Sequence, residues 1–215
     1  MVGNYPIFIA HASEDEPLAR TIYENLDYIV EFHPYLAQDF ANYGEDFKER
    51  IQNVISQSRF FIVIFSTTAI PNQWVNQELG YACAEKKRRR TFRIIPLSQS
   101  HLSLKGFITR DSDDIIFYDK YSEEELIATI IFTIRSNIYN GLSYGNLRFT
   151  VRCQNCKDKR NLSTTYTPYL PDQKTLNEAI TEDHTYWYTI CPSCGEYNYS
   201  NIFTFKQIDG RGLRH

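Results

Sequence analysis

Four of the five cysteines stand in two Cys-x-x-Cys pairs, Cys153 with Cys156 and Cys191 with Cys194, while Cys83 stands alone. Each pair sets two thiolates on one tight turn, and two such turns supply the four sulfur ligands of a tetrahedral Zn²⁺. A Cys₄ shell is closed, so the metal it implies is structural. A redox dithiol, or two unrelated surface pairs, is the competing account; one pair would leave it open, whereas two favour metal. Gly195, directly after the second pair, suits the strained turn of a zinc knuckle. The 34 residues between Cys156 and Cys191 exceed what a minimal ribbon needs and predict an inserted hairpin or loop. His184 is a ligand by type, but four cysteines already fill the shell.

The other chemistry-bearing pair is Trp74 with Glu78, four residues apart and therefore on one helix face. A carboxylate and a large aromatic then face the same space, which suits a site and equally suits the edge of an amphipathic helix. The chain has no G-x-G-x-x-G, no P-loop and no Ser-His-Asp arrangement, so its N-terminal part must draw its chemistry from residues of this kind. Lys86 to Arg90 is a run of five cations at the end of the same helix. Favourable interaction with the helix C-terminal dipole, plus solvation, accounts for it; a phosphate, nucleic-acid or partner contact is the alternative. Cys83, within Tyr81-Ala82-Cys83-Ala84, reads as a small packed residue.

The elements that must position these residues alternate short apolar runs with amphipathic stretches. Pro6 to Ala10 predicts a first strand, and Ser13 with Glu16 a capping box opening a helix with Leu18, Ile22, Leu26 and Ile29 inward. Tyr35 to Ala37 predicts a short second strand, followed by a loop from Gln38 to Glu45. Phe47, Ile51, Val54 and Ile55 mark a second helix, and Phe60 to Phe65 a central strand buried on both faces. After Pro71-Asn72 a helix runs from about Trp74 to Lys87, then strands at Phe92 to Leu97 and Ile115 to Tyr118. Ser122 with Glu125 is a second capping box, for a helix through Ile127, Ile130, Ile131 and Ile134. Five strands separated by helices fit an α/β, flavodoxin-like, doubly wound parallel five-stranded sheet.

The asparagine- and glycine-bearing stretch 139–146 predicts a linker between a domain over 1–138 and a small β module over 147–215. In that module Leu147 to Arg152, Tyr186 to Ile190 and Tyr197 to Phe205 read as strands, and Asp209 to His215 as a tail. A module of this size buries too little core alone, so zinc would supply folding free energy directly.

The 215 residues suit one domain plus a small module, and a hydrophobic fraction of 42% suits a packed core. The net charge of −3 gives no global pull toward nucleic acid or anionic lipid. No basic segment followed by an apolar run opens the chain, and the longest apolar run, Phe60 to Phe65, is too short to span a bilayer. A cytoplasmic, reducing setting without membrane contact is therefore expected, in which paired cysteines hold metal rather than disulfides.

Ligands of a doubly wound sheet sit beyond the C-terminal strand ends, where the winding reverses between strands one and three. That rule points to the loops after Ala10 and Phe65. The residues there resemble a TIR (Toll/interleukin-1 receptor) domain of the prokaryotic type. Ile7-Phe8-Ile9-Ala10-His11-Ala12-Ser13-Glu14-Asp15 is similar to the family's first box, and Asp39-Phe40-Ala41-Asn42-Tyr43-Gly44 to its BB loop. The segment Ile51 to Ser66 is similar to its second helix and third strand, and Trp74-Val75-Asn76-Gln77-Glu78-Leu79 to the W-x-x-x-E helix of NAD-cleaving members.

That resemblance implies cleavage of NAD⁺ at the nicotinamide–ribose bond with Glu78 catalytic. It implies that His11, Ala12, Ser13 and Trp74 line the nucleotide pocket, with Asp46 and Phe47 bordering it beneath the BB loop. Some members carry basic residues just after strand one, where this chain has Ala12 and Ser13, so its phosphate contacts depart from that pattern. The product is ADP-ribose or a cyclic isomer, the setting prokaryotic antiviral or stress defence, and activity commonly requires self-association through the BB loop. Two other functions are open: a non-catalytic TIR adaptor acting by self-association, and a zinc ribbon that binds nucleic acid or protein. Arg148, Arg152, Lys157, Lys159 and Arg160 permit the last, though charged residues around a knuckle are more often solvated surface.

Overall fold

The computed structural model describes residues 4–37, 47–104, 115–138, 148–153, 155, 162–166, 186–191, 194–201 and 205. By internal contacts the chain divides into two compact units, Met1–Glu24 with Phe32–Ser122, and Asn25–Glu31 with Glu123–His215.

In the first unit, β1 (Tyr5–Ala10), β2 (Phe32–Leu36), β3 (Phe60–Phe65), β4 (Arg93–Ser98) and β5 (Ile116–Phe117) form one sheet in the order β2-β1-β3-β4-β5. All four pairings are parallel. This is the flavodoxin-like order, with its winding reversal between β1 and β3. The helices between the strands are α1 (Glu16–Asp27), α2 (Phe47–Gln57) and α3 (Gln73–Arg88). The expected five-stranded doubly wound architecture is present.

Burial explains the order. Every residue of β3 is buried, as its FFIVIF run requires of a strand covered on both faces. Phe8, Ala10, Phe61, Val63 and Phe65 turn to one side, where Ile51 and Ile55 of α2 and Val75, Leu79 and Ala82 of α3 cover them. Phe8 and Phe61 stack there, with ring centroids 5.6 Å apart. The opposite set, Ile7, Ile9, Ile62 and Ile64, is fully buried as well.

Two local expectations are corrected. Strand β2 begins at Phe32, three residues before the predicted Tyr35, and ends at Leu36. Pro34 lies inside it, opposite Ile7. The sheet tolerates this because β2 is an edge strand, where a missing N–H faces outward. Its alternating burial, with Phe32, Pro34 and Leu36 inward, is that of a half-covered edge. The capping box at Ser13 is also absent. Residues Ser13–Asp15 form a 3₁₀ turn whose N-cap is Ala12, without a side-chain cap, and α1 begins only at Glu16.

In the second unit, α4 (Glu123–Ile138) starts directly after Ser122, as the second capping box predicts. Four short strands follow: β6 (Arg148–Arg152) pairs antiparallel with β7 (Leu162–Tyr166), and β8 (Tyr186–Ile190) with β9 (Tyr197–Asn201). β7 falls between the cysteine pairs, where an inserted hairpin or loop was expected. The expected linker and tail lie outside the described residues. No helix among the described residues is long and apolar enough to cross a membrane.

Candidate functional site

Strand β3 delivers the chain at its C-terminal end into the turn that begins at Ser66. There the Ser66 hydroxyl donates to the Asp15 carboxylate at 2.6 Å, and the Ala69 N–H donates to Ser66 Oγ at 3.1 Å. Thr68 Oγ1 lies 2.8 Å from the same oxygen. One hydroxyl therefore ties the turn after β3 to the turn after β1, closing the switch point with a charge-assisted bond. Burial pushes the pKa of Tyr118 up to about 12, with Asp15 and Asp119 adding to the rise. Asp15 was not singled out by the sequence. Its signal, an acid at the foot of the first helix, is indistinguishable from ordinary dipole complementarity.

The turn ends in a firm helix start. Asn72 Oδ1 accepts from the N–H groups of Trp74 and Val75, at 2.9 and 3.2 Å, capping α3. This fixes the phase of the helix, so that Trp74, Gln77, Glu78 and Tyr81 line one cleft together with Lys48, Ile51, Gln52 and Ile55 of α2. The cleft is open at its mouth, and about 340 Å³ of empty space, solvent included, lies between these side chains. Trp74 stands at half exposure. Glu78 is buried, only 7% exposed. Desolvation alone raises its pKa from the usual 4.5 to about 8. Among the described residues its carboxyl has no hydrogen-bond or ion-pair partner. A buried carboxylic acid without a partner, open to a cleft, is a typical mark of a functional position.

The structure thus brings Trp74 and Glu78 into one cleft. His11, Ala12 and Ser13 follow β1 directly, but none lines that cleft. His11 and Ala12 are buried and Ser13 is exposed. Burial lowers the pKa of His11, against weaker upward pulls from the Ile9 backbone, Glu16 and Asp15, so its imidazole is held neutral. Phe47 opens α2, one residue before the cleft-lining Lys48. Asp46 and the BB-loop residues lie outside the described residues. The α2 contribution was missed by sequence reasoning. Lys48, Gln52 and Ile55 follow a three-to-four-residue spacing, but only the packing of α2 against α3 turns that face into a wall.

The basic run at the end of α3 is partly structural. Glu85 is buried and pairs with Arg88 Nη2 and Arg89 Nε, both at 2.9 Å. Arg89 Nη2 also donates to the Ser58 carbonyl at 3.0 Å, and its guanidinium lies over the Phe92 ring. Lys86, Lys87 and Arg90 are exposed.

In the second unit the sulfur atoms of Cys153, Cys191 and Cys194 all lie within 4.8 Å of one another. Cys153 Sγ and Cys194 Sγ are 3.8 Å apart. That is close to the edge of a tetrahedron with metal–sulfur bonds of about 2.3 Å, and far beyond a disulfide bond. The Gly195 N–H donates to the Cys191 carbonyl at 2.9 Å, and the Cys191 N–H to the Glu196 carbonyl at 2.9 Å. Gly195 has φ +73°, a conformation that disfavours any other residue, so the glycine after the second pair is required by the turn. Cys156 lies outside the described residues. Three thiols at this spacing are a donor set for a soft or borderline metal ion.

A TIR-domain family model matches residues 7–129, more than half of the chain. Comparison with curated proteins finds no match. Among solved structures, the TIR domain of the Toll-related receptor TRR-2 from Hydra magnipapillata is similar at 18% identity. The likeness covers 63% of this chain and 99% of that one, with a TM-score of 0.47.

Proposed function

Since the chain belongs to the TIR-domain family, we propose that it is an NAD⁺ nucleosidase in which Glu78 is the catalytic carboxylate. The observation that carries this reading is the buried Glu78 in the α2–α3 cleft, without a partner among the described residues, with the half-exposed Trp74 beside it. Ordinary glycosides need a second carboxyl group to protonate the leaving oxygen. Nicotinamide in NAD⁺ is already cationic. It departs as a neutral molecule with the electron pair of the broken C–N bond, so one carboxylate suffices.

In this reading Glu78 binds the ribose hydroxyls and stabilises the positive charge that develops on the sugar carbon. Water then adds to that carbon and releases a proton, giving ADP-ribose. If an atom of the same ADP-ribose attacks instead, the product is cyclic. The cationic nicotinamide ribosyl group brings the positive charge that favours ionised Glu78. Trp74 supplies an aromatic wall; His11, Ala12 and Ser13 meet the nucleotide from the end of β1, and Asp46 and Phe47 border it. TIR domains associate with one another, and assembly through the BB loop completes the pocket. Cys153, Cys156, Cys191 and Cys194 hold a structural Zn²⁺, making the C-terminal module a zinc ribbon. The protein acts in the cytoplasm, in prokaryotic defence signalling.

One observation favours a second reading, a non-catalytic adaptor: free Glu78 holds its proton at neutral pH, and a neutral acid stabilises no cation. Nicotinamide release from NAD⁺ by concentrated protein separates the two. Under the nucleosidase reading Glu78→Ala loses at least about a hundredfold of the rate, the scale of a lost electrostatic stabiliser. Equal release by both proteins refutes Glu78 catalysis, and no release by assembled wild-type protein favours the adaptor.

A further inference from the structure

A helix lying on a single partner surface keeps an exposed stripe. Helix α4 does not. Leu126, Ile127, Ala128, Thr129, Ile130 and Ile131 are six consecutive buried residues, which at 100° per residue take in the whole circumference. Buried Thr129 turns its hydroxyl back to donate to the Glu125 carbonyl at 2.7 Å. One turn later Arg135, a residue that rarely enters a core, is 95% buried.

The segment that follows the second cysteine pair reaches both ends of this helix. Asn201, the last residue of β9, donates from Nδ2 to Glu124 Oε1 at 3.3 Å. Four residues on, Phe205 is fully buried, and the Arg135 guanidinium lies over its ring, 5.8 Å from the centroid. Phe205 is also the one described non-glycine residue at positive φ, +60°, with its N–H bonded to the Asn201 carbonyl at 3.0 Å. A bulky residue in that region costs on the order of 1 kcal/mol, so a contact that fixes it must offset the strain. Strand β9 itself is anchored at its other end by the Cys191–Glu196 turn beside Cys194. The described residues from the cysteine cluster to Phe205 thus take in a turn, a strand and a helix contact.

We propose that α4 and the cysteine-held ribbon are one cooperative folding unit. Asn201 and Phe205 clamp the helix through Glu124 and Arg135, and metal on the cysteines controls the integrity of α4. The metal half rests on the zinc reading above; the clamp does not. The family match ends at residue 129, inside α4, so the ribbon acts on the TIR domain's own last helix.

Hydrogen exchange of the full chain tests this, read on peptides covering Glu123–Ile138 and, as control, Phe60–Phe65, with zinc content measured in parallel. Chelation of the zinc-loaded protein speeds exchange of α4 by at least about tenfold and leaves β3 unchanged. Zinc-loaded Phe205→Ala does the same, as does the nearly isosteric Asn201→Asp, which sets a second carboxylate against Glu124. The proposal is overturned if Tyr186–Ile190 and Tyr197–Asn201 exchange freely while α4 stays protected, or if β3 and α4 lose protection together. If the chain binds no zinc, the metal reading fails and its control of α4 with it. The clamp then stands or falls on Phe205→Ala and Asn201→Asp.

Discussion

Glu78 carries two opposite consequences of one burial. Its pKa of about 8 means that the folded chain keeps a proton which the unfolded chain loses near 4.5. Between those values the native state binds more protons, so stability falls as pH rises, and the loss is complete above about 8. Denaturant titrations at pH 5 and pH 9 should show wild type losing a few kcal/mol over this span. Glu78→Gln should lose clearly less, and equal losses would mean that Glu78 is not the group responsible. Catalysis runs the other way. If the ionised form acts, kcat/KM for NAD⁺ rises with pH and levels off above about 8, since this ratio reports the free enzyme. A flat profile from pH 6 to 9 would remove Glu78 ionisation from the rate. At this scale the sequence was informative where spacing suffices: Trp74 and Glu78 share a cleft because a four-residue step returns to the same helix face. It was blind to the pKa. Desolvation of Glu78 arises where α2 and α3 meet, and no spacing within one segment encodes it.

Helix α3 is the element that aims this carboxyl, and it is secured at both ends. Asn72 caps the N-terminus with two accepted bonds. Asn72→Ala should cost about 1 kcal/mol and Asn72→Asp much less, measured as a shift in the denaturation midpoint. A cost for Asp equal to that for Ala would show that the cap bonds are not the source. At the other end Glu85 is buried between Arg88 and Arg89, and Arg89 reaches the Ser58 carbonyl at the end of α2. Arg89→Ala should therefore destabilise by about 1–3 kcal/mol, whereas Lys87→Ala, at an exposed position, should change stability by less than about 0.5 kcal/mol. Equal effects would return the whole basic run to solvated surface. The apolar runs gave the helix and strand types correctly, because β3 and the α2 and α3 stripes are buried as their patterns require. The misplaced elements each have a local cause. Pro34 argues against a strand unless its place at the sheet edge is known, and Ser13 matches a capping pattern that the 3₁₀ turn at Ala12 displaces.

For the molecule as a whole, the division into two compact units predicts two unfolding transitions and not a single all-or-none one. Only one of them carries the cysteine cluster. A metal bound there should stabilise that unit by mass action. Zinc removal should therefore lower one calorimetric transition, by several degrees or more for a unit of this size, and leave the other in place. The wild-type chain should carry one zinc, lost in Cys191→Ser, and that variant should show the chelated wild-type pattern without chelator. If both transitions shift together, the units do not fold separately. If neither shifts while zinc is lost, the metal has no structural role. Cys153, Cys191 and Cys194 were legible because a Cys-x-x-Cys turn is local, and the two pairs need only meet. That α4 shares a unit with them was not legible. Its isoleucines read as a one-sided stripe, and no apolar pattern foretells the burial of Thr129 across the helix or of Arg135 at the stripe's flank. Nicotinamide release followed across the same chelator titration then decides what that shared unit means for Glu78. Activity lost in step with the ribbon's transition makes the metal a condition of catalysis, and activity that survives it confines the metal to folding.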